Sequence, residues 1–188
     1  GIGGANYGTD GQVLTSAGAG AAVAWESPAT VTDCKFMAYH SAGTANVTGN
    51  GTAFTITYGT EVYDTGGDFA SNTFTAPEAG HYLFIVNTST VQTASNHTSG
   101  RVEFVTSGTS ATLTPQDYMS IFHPWNLTDS NGVVRINFSL IAPMDAGDTC
   151  SVRLNIYNGS QVVDMQNTLL SNNCLLYTSD AADDLLCV

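Results

Sequence analysis

The side chains best able to do chemistry in this 188-residue chain are four histidines, two pairs of turn aspartates and one aromatic stretch. His40, His81, His97 and His123 stand far apart, and none has the H-x-x-x-H or H-E-x-x-H spacing that places two imidazoles on one helix face around a metal. His81 is expected to be a strand residue facing solvent or a neighbour. Gly108-Thr109-Ser110-Ala111-Thr112 approaches the G-x-S-x-G nucleophile elbow and fails at its last position. A triad assembled from distant residues leaves no local mark, and nothing here argues for one, so the chain is expected not to be an enzyme. Gly18-Ala19-Gly20 begins like a phosphate cradle, but Val23 occupies the third glycine's place and no flanking strand or helix is expected. Asp64 with Asp68, and Asp145 with Asp148, flank turns and are the calcium candidates. Turn aspartates more often bond their own backbone, so neither a metal nor a cofactor is expected.

The aromatic stretch, residues 118–129, contains Tyr118, His123 and Trp125 around Pro124. These three residues are the candidate ligand-binding set, because aromatic faces stack on the apolar faces of sugars. The structural alternative, which the pattern favours, puts Tyr118, Ile121 and Phe122 in the core or a subunit contact and lets Trp125 cap the domain.

Composition narrows the partners. Lys35, Arg101, Arg135 and Arg153 face sixteen acids, a formal charge of −12. Nucleic acid, whose phosphates need clustered Lys and Arg, is not expected as a partner, and an anionic membrane surface is disfavoured likewise. No apolar run reaches the roughly 18 residues of a membrane span, so no membrane insertion is expected. Cys34, Cys150, Cys174 and Cys187 form no C-x-x-C pair. Cys34 and Cys150 fall within strand-like alternation and read as buried thiols rather than a bridge. Charged residues are 11% of the chain, against about 25% in an average domain. With 19 glycines and many Thr, Ser and Asn, this favours short strands and turns. The chain starts at Gly1 without Met, as a piece of a longer protein would.

Residues 1–29 are Gly/Ala-rich with isolated anchors Ile2, Tyr7, Val13, Leu14 and Trp25, a linker or a segment that packs against copies of itself. Residues 30–173 have an ordinary domain length. Strands are expected at 34–39, 53–58, 60–64, 72–76, 80–91, 101–106, 134–140 and 150–156. A polar loop is expected over 43–51, and a turn-rich connection over 142–148. The run 83–91 opens with four consecutive apolar residues, Leu83 to Val86, and is expected to be buried on both faces. Val134, Ile136, Phe138 and Leu140 alternate with Arg135, Asn137 and Ser139, and Cys150, Val152, Leu154 and Ile156 with Ser151, Arg153 and Asn155. One core face and one polar face per strand, without helical periodicity, predict an all-β antiparallel sandwich of jelly-roll type.

The centre of that pattern is 72–84, where Phe74-Thr75-Ala76-Pro77 is followed by Gly80-His81-Tyr82-Leu83-Phe84. Together with Tyr63-Asp64 upstream and Gly147-Asp148 downstream, it resembles the complement-1q and tumour-necrosis-factor-like globular head. The resemblance implies a jelly roll in which Tyr63, Asp64, Phe74, Pro77, Gly80, Tyr82, Phe84, Gly147 and Asp148 are structural, and a homotrimer. Gly8-Thr9-Asp10-Gly11-Gln12-Val13-Leu14-Thr15-Ser16, a Gly-rich stretch and Trp25 resemble a module that precedes the heads of phage tail fibres. The two resemblances together imply a trimeric receptor-binding, adhesin-type head on a virion tail fibre, extracellular, meeting a host-surface glycan or protein receptor. A structural cap that only trimerises, or a secreted complement-1q-like binding protein, is the alternative. Residues 174–188 resemble translated sequencing-adapter read-through, with Asp180, Asp183, Asp184, Cys174 and Cys187 inside it. On that reading the native closing strand is missing, with Thr168 to Leu170 the nearest approach to it.

Overall fold

The computed structural model describes residues 8–16, 18–27, 34–108 and 118–166, and the backbone of 174–178. Ile2, Tyr7, Ser110, residues 168–170, Cys187 and the three tail aspartates lie outside the described residues. The chain divides into two compact units, Gly1–Thr32 and Asp33–Val188.

In the first unit β1 (Val13–Thr15) and β2 (Ala24–Glu26) pair antiparallel, with Leu14 opposite Trp25. The Thr9 carbonyl accepts from Gln12 N–H at 3.1 Å, and the Gln12 side chain accepts from Thr9 N–H at 2.9 Å, closing a turn before β1. Gly8 has φ +70°, and a Cβ there would stand 2.8 Å from the Trp25 ring. Only glycine fits under that indole. Gly8 and Leu14 of the Gly-Thr-x-Gly-Gln-Val-Leu motif thus meet Trp25, with Thr9 and Gln12 closing the turn between them. Contrary to the sequence expectation, Gly18 and Gly20 are framed by strands: they belong to the connection of the hairpin.

The second unit contains β3 (Lys35–Tyr39), β4 (Thr44–Thr48), β5 (Phe54–Thr55), β6 (Thr60–Asp64), β7 (Phe69–Ala70), β8 (Thr73–Thr75), β9 (Gly80–Val91), β10 (Ser99–Thr106), β11 (Met119–Phe122), a 3-10 turn (Pro124–Leu127), β12 (Val134–Met144), β13 (Thr149–Tyr157), β14 (Val163–Met165) and β15 (Cys174–Thr178). One sheet runs β11-β10-β13-β8-β7, with β5 also on β13; the other runs β4-β14-β9-β15-β3-β6, with β12 on the far edge of β9. Every pairing among these strands is antiparallel. The architecture is the antiparallel sandwich expected from the alternation.

The core between the sheets is a chain of aromatic rings drawn alternately from both. Phe36 of β3 stacks on Phe69 at 4.4 Å and lies 5.4 Å from Phe74; Phe74 meets Phe84 of β9 at 5.4 Å, Phe84 meets Phe104 at 5.5 Å, and Phe104 meets Phe138 at 5.2 Å. Offset and edge-on contacts at these separations add to the burial of large apolar area. Cys34 and Cys150 are buried thiols, as the alternation implies. Burial raises the Cys150 thiol far above its ordinary range, so it stays protonated and unreactive.

Four expectations are corrected. The polar stretch 43–51 contains β4, which has one buried apolar side chain, Val47, and is held by pairing with β14 and by the Asp164 carboxylate on Asn46 N–H. Strand β12 continues through Ala142-Pro143-Met144; as an edge strand it tolerates a residue without N–H. In β9, Tyr82, Phe84 and Val86 are buried while Leu83, Ile85 and Asn87 are half-buried, so burial on both faces holds only over Thr88 to Thr90. Finally the core placement of Ile121 does not hold: it is 72% exposed on the edge strand β11, which leaves the subunit contact as its expected role. At the other end of the chain, β15 pairs with both β3 and β9 and fills the slot that the sequence reading leaves open for a lost native strand.

Candidate ligand-binding groove

Residues of the 63–84 and 147–148 motifs meet at one end of the sandwich. Phe74 opposes Cys150 and Thr75 opposes Thr149, while Ala76 N–H donates to the Asp148 carbonyl at 2.7 Å and Gly147 N–H to the Ala76 carbonyl at 2.8 Å. Phe74, Tyr82 and Phe84 are buried together. The Tyr82 hydroxyl donates to the Glu78 carbonyl at 2.6 Å across the Pro77 turn. Burial raises the Tyr82 phenol, opposed by that hydrogen bond. Tyr63, by contrast, is 40% exposed on β6.

Two of the four calcium candidates, Asp64 and Asp148, use their oxygens on their own surroundings, while Asp68 Oδ2 is buried without a hydrogen-bond partner among the described residues. Asp64 accepts from Gly67 N–H at 3.0 Å, Asp68 N–H at 3.1 Å and Phe69 N–H at 3.0 Å. Asp148 accepts from Asp145 N–H at 2.8 Å and from the Ser107 hydroxyl at 3.2 Å. Among the described residues, no three His, Cys, Asp or Glu side chains converge on a point where a cation would sit. Two histidines are core residues. Both His40 and His97 are buried, and His97 accepts from Ala94 N–H at Nδ1, 2.9 Å, while Nε2 lies 3.1 Å from the Ser160 carbonyl. That arrangement fixes the neutral Nε2–H tautomer. His81 is exposed at the start of β9, opposite Pro143.

The aromatic set separates. Tyr118 is buried in the core, and Phe122 packs against the core. His123 is the N-cap of the 3-10 turn, its side chain accepting from Asn126 N–H at 3.4 Å. Trp125 remains 43% exposed. Its N–H donates to the His97 carbonyl at 3.2 Å, and its carbonyl accepts the Thr128 hydroxyl at 2.8 Å, so the turn is fixed to the loop that His97 holds. Of the three candidates, Trp125 lines an open groove, of about 730 Å3, between the loops 92–95 and 128–132.

The groove walls are built by two local devices. Asp129 accepts from Asn131 N–H at 2.8 Å and Val133 N–H at 3.1 Å and lies 3.9 Å from Arg135. The Val133 and Asn131 N–H groups, then Arg135, hold its carboxyl below the ordinary range. Gly132, with φ +71°, accepts from Thr93 N–H at 3.2 Å and stitches the loops together. Gln92, at φ 64°, ends β9 and hydrogen-bonds Asp164. Nothing in the sequence connects residues 92–95 with Trp125. The Asp129-Ser130-Asn131-Gly132 run is a turn signature beside a tryptophan, and was the available signal.

Known structures resemble the second unit. The globular domain of zebrafish complement 1qA protein aligns with a TM-score of 0.50 at 11% identity, covering 77% of this chain and 94% of that one. Murine APRIL aligns with a TM-score of 0.52 at 10% identity, covering 78% and 98%. The fold is the complement-1q and tumour-necrosis-factor-like jelly roll. At these identities the likeness concerns fold alone. No protein-family model and no curated protein sequence matches the chain. The jelly-roll head places the Trp125 groove among loops at the edge of a rigid sandwich, where binding residues are commonly carried.

Proposed function

We propose that the chain is a non-enzymatic, homotrimeric binding head, extracellular on a phage tail fibre or similar virion appendage, that attaches to a host-surface glycan or protein receptor. The observation that carries the trimer is the outer face of the seven-stranded sheet. Met37 opposes Tyr63 across β3 and β6, and Leu83 opposes Ile141 across β9 and β12, all on the side away from the core. Ile141 is 59% exposed and Tyr63 40%, in a chain of charge −12. A patch of this kind on an otherwise polar surface is suited to burial against like copies. Three heads on one fibre raise weak single-site affinity by avidity. The hairpin that gathers Gly8, Gln12 and Trp25 supports the fibre assignment, through its likeness to the module that precedes fibre heads.

Light scattering on the full chain is expected to give three times the monomer mass, and Ile141→Glu to give monomer. A wild-type monomer would overturn the trimer. Purified head is expected to compete with phage adsorption to the host; a folded trimer that fails to compete would leave a structural cap instead.

A further inference from the structure

The Trp125 groove has features that the receptor-binding reading does not by itself require. The indole is exposed but its backbone is tied at both ends, to His97 and to Thr128. The facing loops are equally fixed, 92–97 by the buried His97 and 129–133 by the Asp129 carboxylate. Such a site presents an aromatic side chain from loops whose backbone needs no ordering on binding. Around it, among the described residues, the side-chain groups of Ser95, Ser130 and Asn131 engage no protein partner, while the Thr93 hydroxyl is buried behind the groove wall without a partner. The charge in the groove is balanced: Asp129 faces Arg135, and no Lys or Arg lines the groove.

An exposed indole on a fixed stretch of backbone, ringed by neutral hydroxyl and amide groups, matches the two surfaces of a sugar ring, apolar C–H on one face and hydroxyls at the edge. A strongly anionic ligand would meet the Asp129 carboxylate without a free cation to pair with. We infer that this groove binds an uncharged hexose unit of a surface glycan, stacked on Trp125 and hydrogen-bonded by Asn131, Ser130 and Ser95. The inference rests on the receptor-binding reading and names its ligand class.

The test is saturation-transfer NMR on the full chain with glucose, galactose, mannose and N-acetylglucosamine, and with sialic acid as the charged comparison. At least one neutral sugar is expected to receive transfer and sialic acid none. Trp125→Ala is expected to abolish the transfer and Asn131→Ala to weaken binding about tenfold, roughly the loss of one good polar contact. Both positions are exposed, and an unchanged backbone amide spectrum in each variant verifies the fold. No transfer from any neutral sugar, transfer from sialic acid alone, or transfer undiminished in Trp125→Ala would each overturn the assignment. Adsorption competition separates this failure from failure of the parent reading. Wild type and Trp125→Ala competing equally would sink the groove and keep receptor binding. Neither competing would sink receptor binding, while the NMR result decides the groove.

Discussion

Two turns of this sandwich use the same parts to opposite ends. Around Asp148 and around Asp129, a carboxylate accepts backbone N–H groups while a glycine at positive φ, Gly147 at +88° or Gly132 at +71°, reverses the chain. At the first turn the neighbouring segment closes in: Gly147 and Asp148 bond Ala76, and the rings of Phe74, Tyr82 and Phe84 lie beneath. At the second, Gly132 bonds Thr93, but the adjacent aromatic residue stays in solvent, and the side chains of Ser95, Ser130 and Asn131 beside it engage no protein group among the described residues. Polar groups satisfied within the fold stabilise it; polar groups left facing outward beside an aromatic are available to a ligand. The difference therefore lies in which segment packs against the turn, since the turn chemistry is shared.

The largest expected contrast is between the two aromatic residues. Phe74→Ala removes a fully buried ring that touches Phe36, Tyr82 and Phe84, and is expected to cost about 3–5 kcal/mol. Trp125→Ala, at an exposed position, is expected to cost under about 1 kcal/mol, the range of surface substitutions. Denaturant unfolding of the two variants measures both. Equal destabilisation would mean that Trp125 caps the sandwich and that the two ends are alike.

The glycines give a finer contrast. Gly147→Ala meets open space and is expected to cost only the left-handed backbone penalty, about 1–2 kcal/mol. Gly132→Ala carries the same penalty and also brings a Cβ to 3.0 Å from the Thr93 carbonyl, in a place where the backbones of two loops are joined. It is expected to be the more damaging of the pair, and to shift the backbone amide signals of residues 92–95. If Gly147→Ala were the worse variant, the sealed turn would be the strained one and the account of Gly132 as a stitch would fail.

Much of the sealed end was legible because its cues are local. Phe74, Tyr82 and Phe84 sit at period-2 spacing around Pro77 and Gly80, so sequence alone puts them on one face beside a turn. The same holds for Val134 to Leu140 and Cys150 to Ile156, whose alternation reappears as burial except at Asn155, a polar-face residue that is buried as well. The groove was legible only in part. Trp125 was named from residue type, but Tyr118 and His123 were grouped with it by nearness in sequence, and in three dimensions one enters the core while the other caps a turn. Its other wall, Gln92 to Ser95, comes from a distant loop brought in by the pairing of β9 with β12, a non-local fact that composition and periodicity do not encode. Strand β4 escaped for a related reason: with only Val47 as an apolar marker, its strand character comes from pairing with β14.

The smallest expected effect concerns the charge at the open turn. Because the Val133 and Asn131 N–H groups and Arg135 hold the Asp129 carboxyl below its ordinary value near 3.8, the ionised form is favoured more in the folded than in the unfolded chain. Its contribution to stability is complete above that ordinary value. As the pH falls through it toward the lowered folded value the unfolded chain takes up the proton first, and the contribution fades until it is gone below the folded value. The group is exposed, so solvent keeps the effect small and salt weakens it further. Asp129→Asn keeps an oxygen that can accept from the same N–H groups but removes the proton equilibrium. Thermal unfolding of wild type and Asp129→Asn is therefore expected to differ most above about pH 4, wild type being the more stable there, and the difference to shrink as the pH is lowered below that. A gap that is the same at every pH would show that the carboxylate holds the turn by shape alone. Asp129 would then match Asp148 only in geometry, and the balanced charge beside Trp125 would have no electrostatic role in fixing the groove.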